Sequence, residues 1–288
     1  MLWIAFAVAG ATLDAAYSIL VKRYVGDIGA VTFAAGTFLC SGTLLLAASA
    51  AMGTPTLGDM FYPAVLTSAG VNTLAATLYY RALQTTDISL AVPMIAFTPL
   101  FLIVTSAVML GEFPDTFGLI GIASVAAGAY VLTMTGKPAG LLDPFRKMRS
   151  DAGILAMLAV AFLFSIGANA DKLALLNSDP LFGTACILTV MGVVLGIAAR
   201  NRGEREERAR QPLAVRPLLI TGAVLAAGAV SINLALSVQI VPYVISMKRL
   251  SILMTVLYGG LILREGELHT RFPGAAMMAA GAAVLILF

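Results

Sequence analysis

Long runs of apolar residues alternate with short polar connections along nearly the whole chain. Each run is long enough to cross about 30 Å of hydrocarbon as an α-helix that rises about 1.5 Å per residue. The pattern therefore predicts an all-α membrane protein with ten transmembrane helices. The predicted helices cover residues 2–20, 31–52, 61–80, 88–110, 116–136, 152–175, 181–199, 216–237, 241–263 and 271–288.

The composition agrees with a protein that lies in a membrane. Of the 288 residues, 60% are hydrophobic and 11% are charged, whereas about 25% of the residues of a soluble domain are charged. The formal net charge of +3 is too small to argue for a nucleic acid as a partner. The expected partners are the lipid bilayer and a small-molecule metabolite, and the chain could act as a monomer or as a homodimer.

The positive charges lie on one side of the predicted helices. Fifteen of the 18 Lys and Arg residues fall in odd-numbered connections, including the arginine-rich loop 200–216, and the even-numbered connections have none. Because cytoplasmic loops are enriched in Lys and Arg, the odd-numbered connections are predicted to be cytoplasmic. Both termini are then expected on the outside of the cell membrane. The three remaining cations, Lys172, Lys248 and Arg249, need another explanation.

The chain also repeats itself with a period of about 150 residues. The segment ALQTTDISLAVPMIAFTPLFLIVTSAVMLGE, from Ala82, is echoed by ALSVQIVPYVISMKRLSILMTVLYGGLILREGE, from Ala235. The helix after each copy carries two equally spaced glycines, which we interpret as close-packing positions: Gly121 and Gly128, Gly274 and Gly281. Because the period covers five helices, the second copy must enter the membrane upside down, as in the inverted repeats of many secondary transporters. The predicted domains are a first five-helix repeat over 1–136, a cytoplasmic linker over 137–150 and a second repeat over 151–288.

These features resemble the EamA type of the drug/metabolite transporter superfamily. The resemblance is carried by the tandem five-helix halves, the Ala-Leu to Gly-Glu segments and the glycine-spaced last helices, and it covers essentially the whole chain. The NADK and YVISMKRLSIL segments further resemble one widespread branch of that family. The resemblance implies a central cavity, alternating access, and export or exchange of small metabolites such as amino acids. Many family members have both termini in the cytoplasm, but the loop charges here predict the reverse, and we follow the charges.

Polar residues inside the predicted helices are candidates for substrate binding or ion coupling, because a charge in hydrocarbon is costly and is retained where it is paired or used. Lys248 is the main candidate for binding the anionic part of a substrate. Asp14 is the matching candidate for a proton or cation site that alternates with it. On a helical wheel Ser251 shares the face of Lys248, whereas Arg249 is turned away by about 100°. The other candidates are Asn72, Asn169, Asp171 and Asn233.

Each candidate also has a structural interpretation. Lys248 could form an ion pair with Asp14 or Asp171, and the asparagines could bond neighbouring helices. Arg249 is better suited to a fixed structural partner because its guanidinium is effectively always charged. Lys172 is interpreted as an anchor at the membrane interface.

The sequence thus predicts a secondary active transporter, acting as an exporter or exchanger of an amino-acid-like or anion-bearing metabolite. The charges of Asp14, Asp171, Lys172, Lys248 and Arg249 sum to +1, which favours an anionic group on the substrate. No GxxxxGK[ST] motif is present, so the energy must come from exchange or from a gradient of protons or another ion.

Two other functional classes stay open at this stage. An intramembrane enzyme would need a nucleophile with a base, or metal ligands at helical spacing. The chain has one histidine, His269, and neither HExxH nor GxSxG, so no metal site and no cofactor are expected. A non-transporting subunit or receptor would leave the polar residues without an obvious purpose. Pro93 and Pro99 predict a hinge or a static kink in the fourth helix.

Overall fold

The computed structural model describes residues 2–24, 30–53, 55–134, 140–148, 150–201, 215–261 and 268–287, and these ranges form an all-α fold without β-strands. Most of the arginine-rich loop, at 202–214, and the linker residues 137–139 and 149 lie outside the described residues. Helices α1 to α10 correspond to the predicted segments. Their bounds are α1 Leu2–Tyr24, α2 Ala30–Met52, α3 Phe61–Thr85, α4 Ile88–Ala91 with Val92–Phe97 and Thr98–Leu110, α5 Thr116–Met134, α6 Ala152–Leu176, α7 Pro180–Asn201, α8 Val215–Leu236, α9 Val241–Lys248 with Leu250–Leu261, and α10 Leu268–Leu287. A short helix, Asp143–Lys147, lies in the linker.

Within the described residues, eight helical segments are long and apolar enough to cross a membrane. The chain is therefore a multi-pass membrane protein, as the apolar runs predicted. Helix α3 has 25 residues, but polar side chains such as Asn72 and Arg81 make it less apolar than the eight. The apolar described part of α10, Arg271–Leu287, is shorter than the other spans. That α3 and α10 also cross the membrane, which would make ten crossings in all, therefore stays a prediction.

Local signals set several helix ends and position polar groups near them. Asp151 precedes α6, and its Oδ1 accepts a hydrogen bond from Gly153 N at 2.9 Å, which satisfies an N–H that the helix start leaves unpaired. Helix α4 ends at Gly111, which adopts a left-handed backbone with φ of 70°. This turn lets Glu112 N donate to Ser106 O at 3.2 Å and directs the chain back across the end of α4.

The most extensive helix contacts join α2 with α7, α5 with α10, α3 with α6 and α1 with α8. Helices α5 and α10 cross with their backbones in contact. A Cβ atom added to Gly128 would lie 2.6 Å from Met278 N, and one added to Gly274 would lie 2.6 Å from Leu132 N. A Cβ added to Gly281 would lie 2.8 Å from Gly121 O. The prediction that these glycines are close-packing positions is confirmed.

Helix α4 is interrupted where its prolines lie. Pro93 lies in the 3-10 segment Val92–Phe97, and Pro99 lies in the first turn of the helix Thr98–Leu110. Because proline lacks the N–H that an α-helix needs, the interruption follows from the sequence. Movement at this break, which would make it a hinge, stays a prediction.

Helix α9 is interrupted at Arg249, where no proline or glycine is present. The backbone N of Arg249 donates to Ile245 O at 3.2 Å and to Ser246 O at 3.1 Å, so the turn that ends at Arg249 is tightened toward 3-10 geometry. The second piece begins at Leu250. Arg249 keeps right-handed helical dihedrals and Val241–Tyr258 forms one apolar span, so the predicted helix over 241–263 is present as far as Leu261, with an irregularity at one residue. Residues 262–263 lie outside the described part of the chain.

Candidate substrate-binding site

A cavity of about 360 Å³ lies among the helices. Its charged and amide lining comes from the middle of α1 and α3, the C-terminal parts of α6 and α8, and the irregular turn of α9. Five of the seven residues predicted for substrate binding or coupling share this wall: Asp14, Asn72, Asp171, Asn233 and Lys248. The remainder is largely apolar and includes Phe164, Ile187, Met191, Ile232 and Leu236. The structure thus brings residues far apart in sequence into one partly apolar site.

Lys248 forms an ion pair with Asp14 at this cavity. Lys248 Nζ lies 3.7 Å from Asp14 Oδ1, and the two side chains are 40% and 34% exposed. Ion pairs with this exposure contribute little to stability, because water screens and competes for both charges. The pair can therefore open at low cost when another carboxylate approaches Lys248.

Asp171 is held in place from the opposite helix. Ser68 Oγ donates a hydrogen bond to Asp171 Oδ1, and Asn72 Nδ2 donates to Ser68 Oγ at 3.2 Å. Ser68 and Asn72 are four residues apart on α3, so both lie on the face that meets α6. Gly167 on α6 leaves room for Asn72, because an added Cβ would lie 2.8 Å from Asn72 Oδ1. This contact fixes the direction of one carboxylate oxygen of Asp171.

Arg249 lines the same cavity as Lys248. The helical wheel predicted different neighbours for the two cations; both line the cavity, and of the two only Lys248 pairs with Asp14 within 4 Å. The Nε atom of Arg249 is buried and has no hydrogen-bond partner. Across the described part of the chain, no ion pair involves its guanidinium, although Asp14 is near enough to attract it, so a fixed structural partner for Arg249 stays a prediction.

Two predicted site residues lie away from the cavity wall. Asn169 is fully buried; it accepts a hydrogen bond from Ser106 Oγ at 2.7 Å and donates one to Thr105 Oγ1 at 3.0 Å. Asn169 therefore joins α6 to α4 instead of facing a ligand. Ser251 is 8% exposed and is not among the residues that line the cavity.

Lys172 belongs to a second polar cluster, outside the cavity. Its Nζ lies 2.5 Å from Glu112 Oε1 and donates to Gln239 O at 2.7 Å. Glu112 Oε2 accepts from Val241 N at 2.8 Å, in the first turn of α9. Both charged side chains are mostly buried, and removing either partner would leave an uncompensated charge. Lys172 thus forms an ion pair that joins α6 to the ends of α4 and α9, in line with the structural role expected for it, and its position relative to the membrane interface stays a prediction.

The comparisons with known proteins agree with this architecture. Residues 1–134 match the family model described as the EamA-like transporter family. These residues, just under half of the chain, are similar to that family. The resemblance inferred from the sequence is therefore confirmed over this part of the chain.

No curated protein matches the EamA-type chain. Among solved structures, one described as "Crystal structure of protein" is similar to this chain, with a TM-score of 0.77 at 16% sequence identity. The match covers 99% of this chain and 96% of that one. At that identity the likeness shows the fold alone. The fold of the EamA-type chain is thus shared with that protein over its whole described length.

The position of Lys172 changes the charge balance inside this EamA-type protein. The cavity is lined by two carboxylates, Asp14 and Asp171, and by two cations, Lys248 and Arg249, so the formal charges sum to zero. The predicted sum of +1 counted Lys172 without its partner Glu112, and it is wrong as a description of the cavity. A neutral cavity with charges of both signs can accept a molecule that also carries both.

Three polar residues of the site were missed in the sequence. Ser68 carries a recognisable signal, because it lies four residues from Asn72 on the same helix face. Thr184 and Thr98 carry no such signal, because a threonine hydroxyl in an apolar helix commonly donates a hydrogen bond to a carbonyl of the same helix. Thr98 Oγ1, for example, donates to Ile95 O at 2.8 Å. Thr184 Oγ1 accepts a hydrogen bond from Asn233 Nδ2 at the cavity wall.

Proposed function

We propose that this EamA-type protein is a secondary active transporter, an exporter or exchanger, that moves a small amino-acid-like metabolite across the cell membrane by alternating access. The observation that carries the proposal is the cavity where charged side chains of α1, α6 and α9 meet among apolar helices. Ionisable groups within membrane helices usually mark substrate or ion pathways. A volume of about 360 Å³ with an apolar wall also suits an organic molecule better than a bare ion.

The charges of the cavity support a substrate that bears an anionic group and a cationic group. The two cations can bind a carboxylate, and Asp171 can accept an ammonium group. Lys248 would exchange Asp14 for the substrate carboxylate during the cycle, while Asp14 would take up a proton or another cation. This exchange would couple substrate binding to the ion gradient, because Lys248 cannot form a full ion pair with Asp14 and with the substrate carboxylate at the same time.

Two inverted five-helix repeats, over 1–136 and 151–288, are part of the proposal, and the packing supports them. In the proposed repeats α1 corresponds to α6, α3 to α8 and α4 to α9. The contact between α1 and α8 then corresponds to the contact between α6 and α3, and the contact between α4 and α6 corresponds to the contact between α9 and α1. An added Cβ on Gly42 would lie 2.9 Å from Thr189 N, and one on Gly192 would lie 2.8 Å from Leu39 N. The two contacts are equivalent if residues 150 apart correspond, as the proposed repeats require. An experimental structure whose halves were related by an axis along the membrane normal would contradict the inverted arrangement.

A flux measurement tests the transport function. The purified protein is first screened for metabolites that raise its melting temperature, because a ligand that binds only the folded state stabilises it by mass action. The metabolite is then tested in proteoliposomes, where a transporter should accumulate labelled substrate against unlabelled substrate without nucleotide. A receptor or subunit would bind without flux, and an enzyme would convert the metabolite; either result would contradict the proposal.

The loop charges predict that both termini lie outside and that the arginine-rich loop lies in the cytoplasm. In a background with Cys40→Ser and Cys186→Ser, a cysteine at Glu206 should not react with an impermeant maleimide in intact cells, and it should react after permeabilisation. Asp59→Cys, in the exposed connection between α2 and α3, is the matched control and should react in intact cells. The reverse labelling pattern would show the opposite orientation.

Asp14→Asn should change the pH dependence of exchange. The amide keeps the shape of the side chain but removes a titratable group that lies 3.7 Å from Lys248. We expect the pH profile of exchange in proteoliposomes to flatten or shift relative to wild type. An unchanged profile at an unchanged rate would exclude Asp14 as the proton site.

A further inference from the structure

We infer that Arg249 is the resting anion-binding group of the cavity and that it takes a carboxylate before Lys248 leaves Asp14. The inference rests on the proposed function and assigns one step of binding to one residue. It differs from the sequence-based interpretation, in which Lys248 alone contacts the substrate and Arg249 has a structural partner.

The two neighbouring cations are in different electrostatic situations. Lys248 already has a carboxylate partner, since its Nζ lies 3.7 Å from Asp14 Oδ1. Arg249 has no ion pair within the described ranges, and its Nε is buried without a hydrogen-bond partner. Asp14 also attracts Arg249, but its carboxylate lies within ion-pair distance of Lys248 only. A ligand anion at Arg249 would supply the direct partner that Arg249 lacks, so this residue gains more from binding than Lys248 does.

The surroundings of Arg249 favour a carboxylate over a phosphate. A guanidinium donates two parallel hydrogen bonds to either group. However, with Lys248 paired to Asp14, Arg249 offers a single positive charge beside the carboxylate of Asp171, and a monoanion matches that charge where a dianion exceeds it. The apolar wall, which includes Ile232 and Leu236, suits an uncharged hydrocarbon part. The ligand class is therefore a monocarboxylate with an apolar side chain, with or without an ammonium group.

The first test needs no ligand. Arg249→Met replaces a charge that has no direct ion-pair partner with an apolar chain of similar length, so the apparent melting temperature of the purified protein should rise by about 2–4 °C. Lys248→Met is the matched neighbour; it leaves Asp14 without its partner and should lower the melting temperature or leave it unchanged. A lower melting temperature for Arg249→Met would indicate a structural partner and overturn the inference.

The second test uses three probes that share one side chain. L-leucine carries both charges, isocaproate carries the carboxylate alone, and L-leucinamide carries the ammonium alone. L-leucine and isocaproate should raise the melting temperature of the wild type, and L-leucinamide should raise it less than either. Arg249→Met should lose the carboxylate-dependent rise, whereas Lys248→Met should retain part of it. Failure of both carboxylate probes with the wild type, or an equal rise in Arg249→Met, would overturn the inference.

Transport assays separate this inference from the proposed function. If carboxylate binding depends on Arg249 but the vesicles show no flux, the subsite stands and the transport function fails. If Arg249→Met vesicles transport the identified substrate at the wild-type rate, transport stands and the assignment of Arg249 fails. Arg249→Lys adds a discriminating variant, because it keeps the charge but loses the planar pair of donors. It should bind the carboxylate more weakly than the wild type and more strongly than Arg249→Met.

Discussion

Lys248→Met should reduce transport of the identified substrate by at least about 100-fold while leaving a folded, membrane-inserted protein. A loss of that size corresponds to roughly 2.7 kcal/mol at 25 °C. The side chain lies at the break of α9, lines the cavity and pairs with Asp14. Hydrogen bonds to charged groups contribute about 1.5–3 kcal/mol. The exchange of partners by Lys248 also couples binding to the ion site, so its loss should stop the cycle as well as weaken binding.

The matched control for this experiment is Lys147→Met. Lys147 lies on the exposed side of the short linker helix, so the same chemical change should leave transport near the wild-type rate. The double variant Asp14→Asn with Lys248→Met removes both charges of the pair and should restore stability without restoring transport. Vesicles of Lys248→Met that transport at the wild-type rate would rule out the binding role and leave a purely structural ion pair.

The membrane helices and the glycine crossings could be predicted because their causes are local in the sequence. Hydrocarbon requires apolar runs of a certain length, and a close backbone crossing requires glycine at spaced positions, such as Gly121 and Gly128. Asp14, Asn72, Asp171, Asn233 and Lys248 were found because each is polar within an apolar run. The structure brings these five residues together around one cavity.

The errors arose where tertiary contacts override the local pattern. The break at Arg249 contains neither proline nor glycine, so nothing in the sequence marks it. Lys248 and Arg249 both line the cavity, whereas Ser251 does not. Lys172 was counted as an unpaired charge because its partner, Glu112, lies in a connection about sixty residues earlier. That pairing depends on the turn at Gly111 and on the packing of α6 against α4.

Gly128→Leu should prevent recovery of a folded, monodisperse protein, and Gly128→Ala should lower its stability by roughly 1–3 kcal/mol. The reason lies in the crossing of α5 with α10. A Cβ atom at Gly128 would lie 2.6 Å from Met278 N and 2.8 Å from Gly274 O, so backbone atoms would have to move. A flexible side chain could turn aside from such a contact, but two packed helix backbones must separate along their length.

Gly70→Ala is the control that separates this packing effect from the general effect of replacing glycine in a helix. Gly70 lies on an exposed face of α3, and an added Cβ would meet nothing within 4 Å. This variant should be neutral or slightly more stable, because alanine favours the helix over glycine by about 1 kcal/mol. Gly281→Ala, at the position equivalent to Gly128 in the second half, should lower the melting temperature by a similar amount, because its Cβ would lie 2.8 Å from Val125 N. A melting temperature of Gly128→Ala equal to that of Gly70→Ala would show that α5 and α10 do not cross this closely in the membrane.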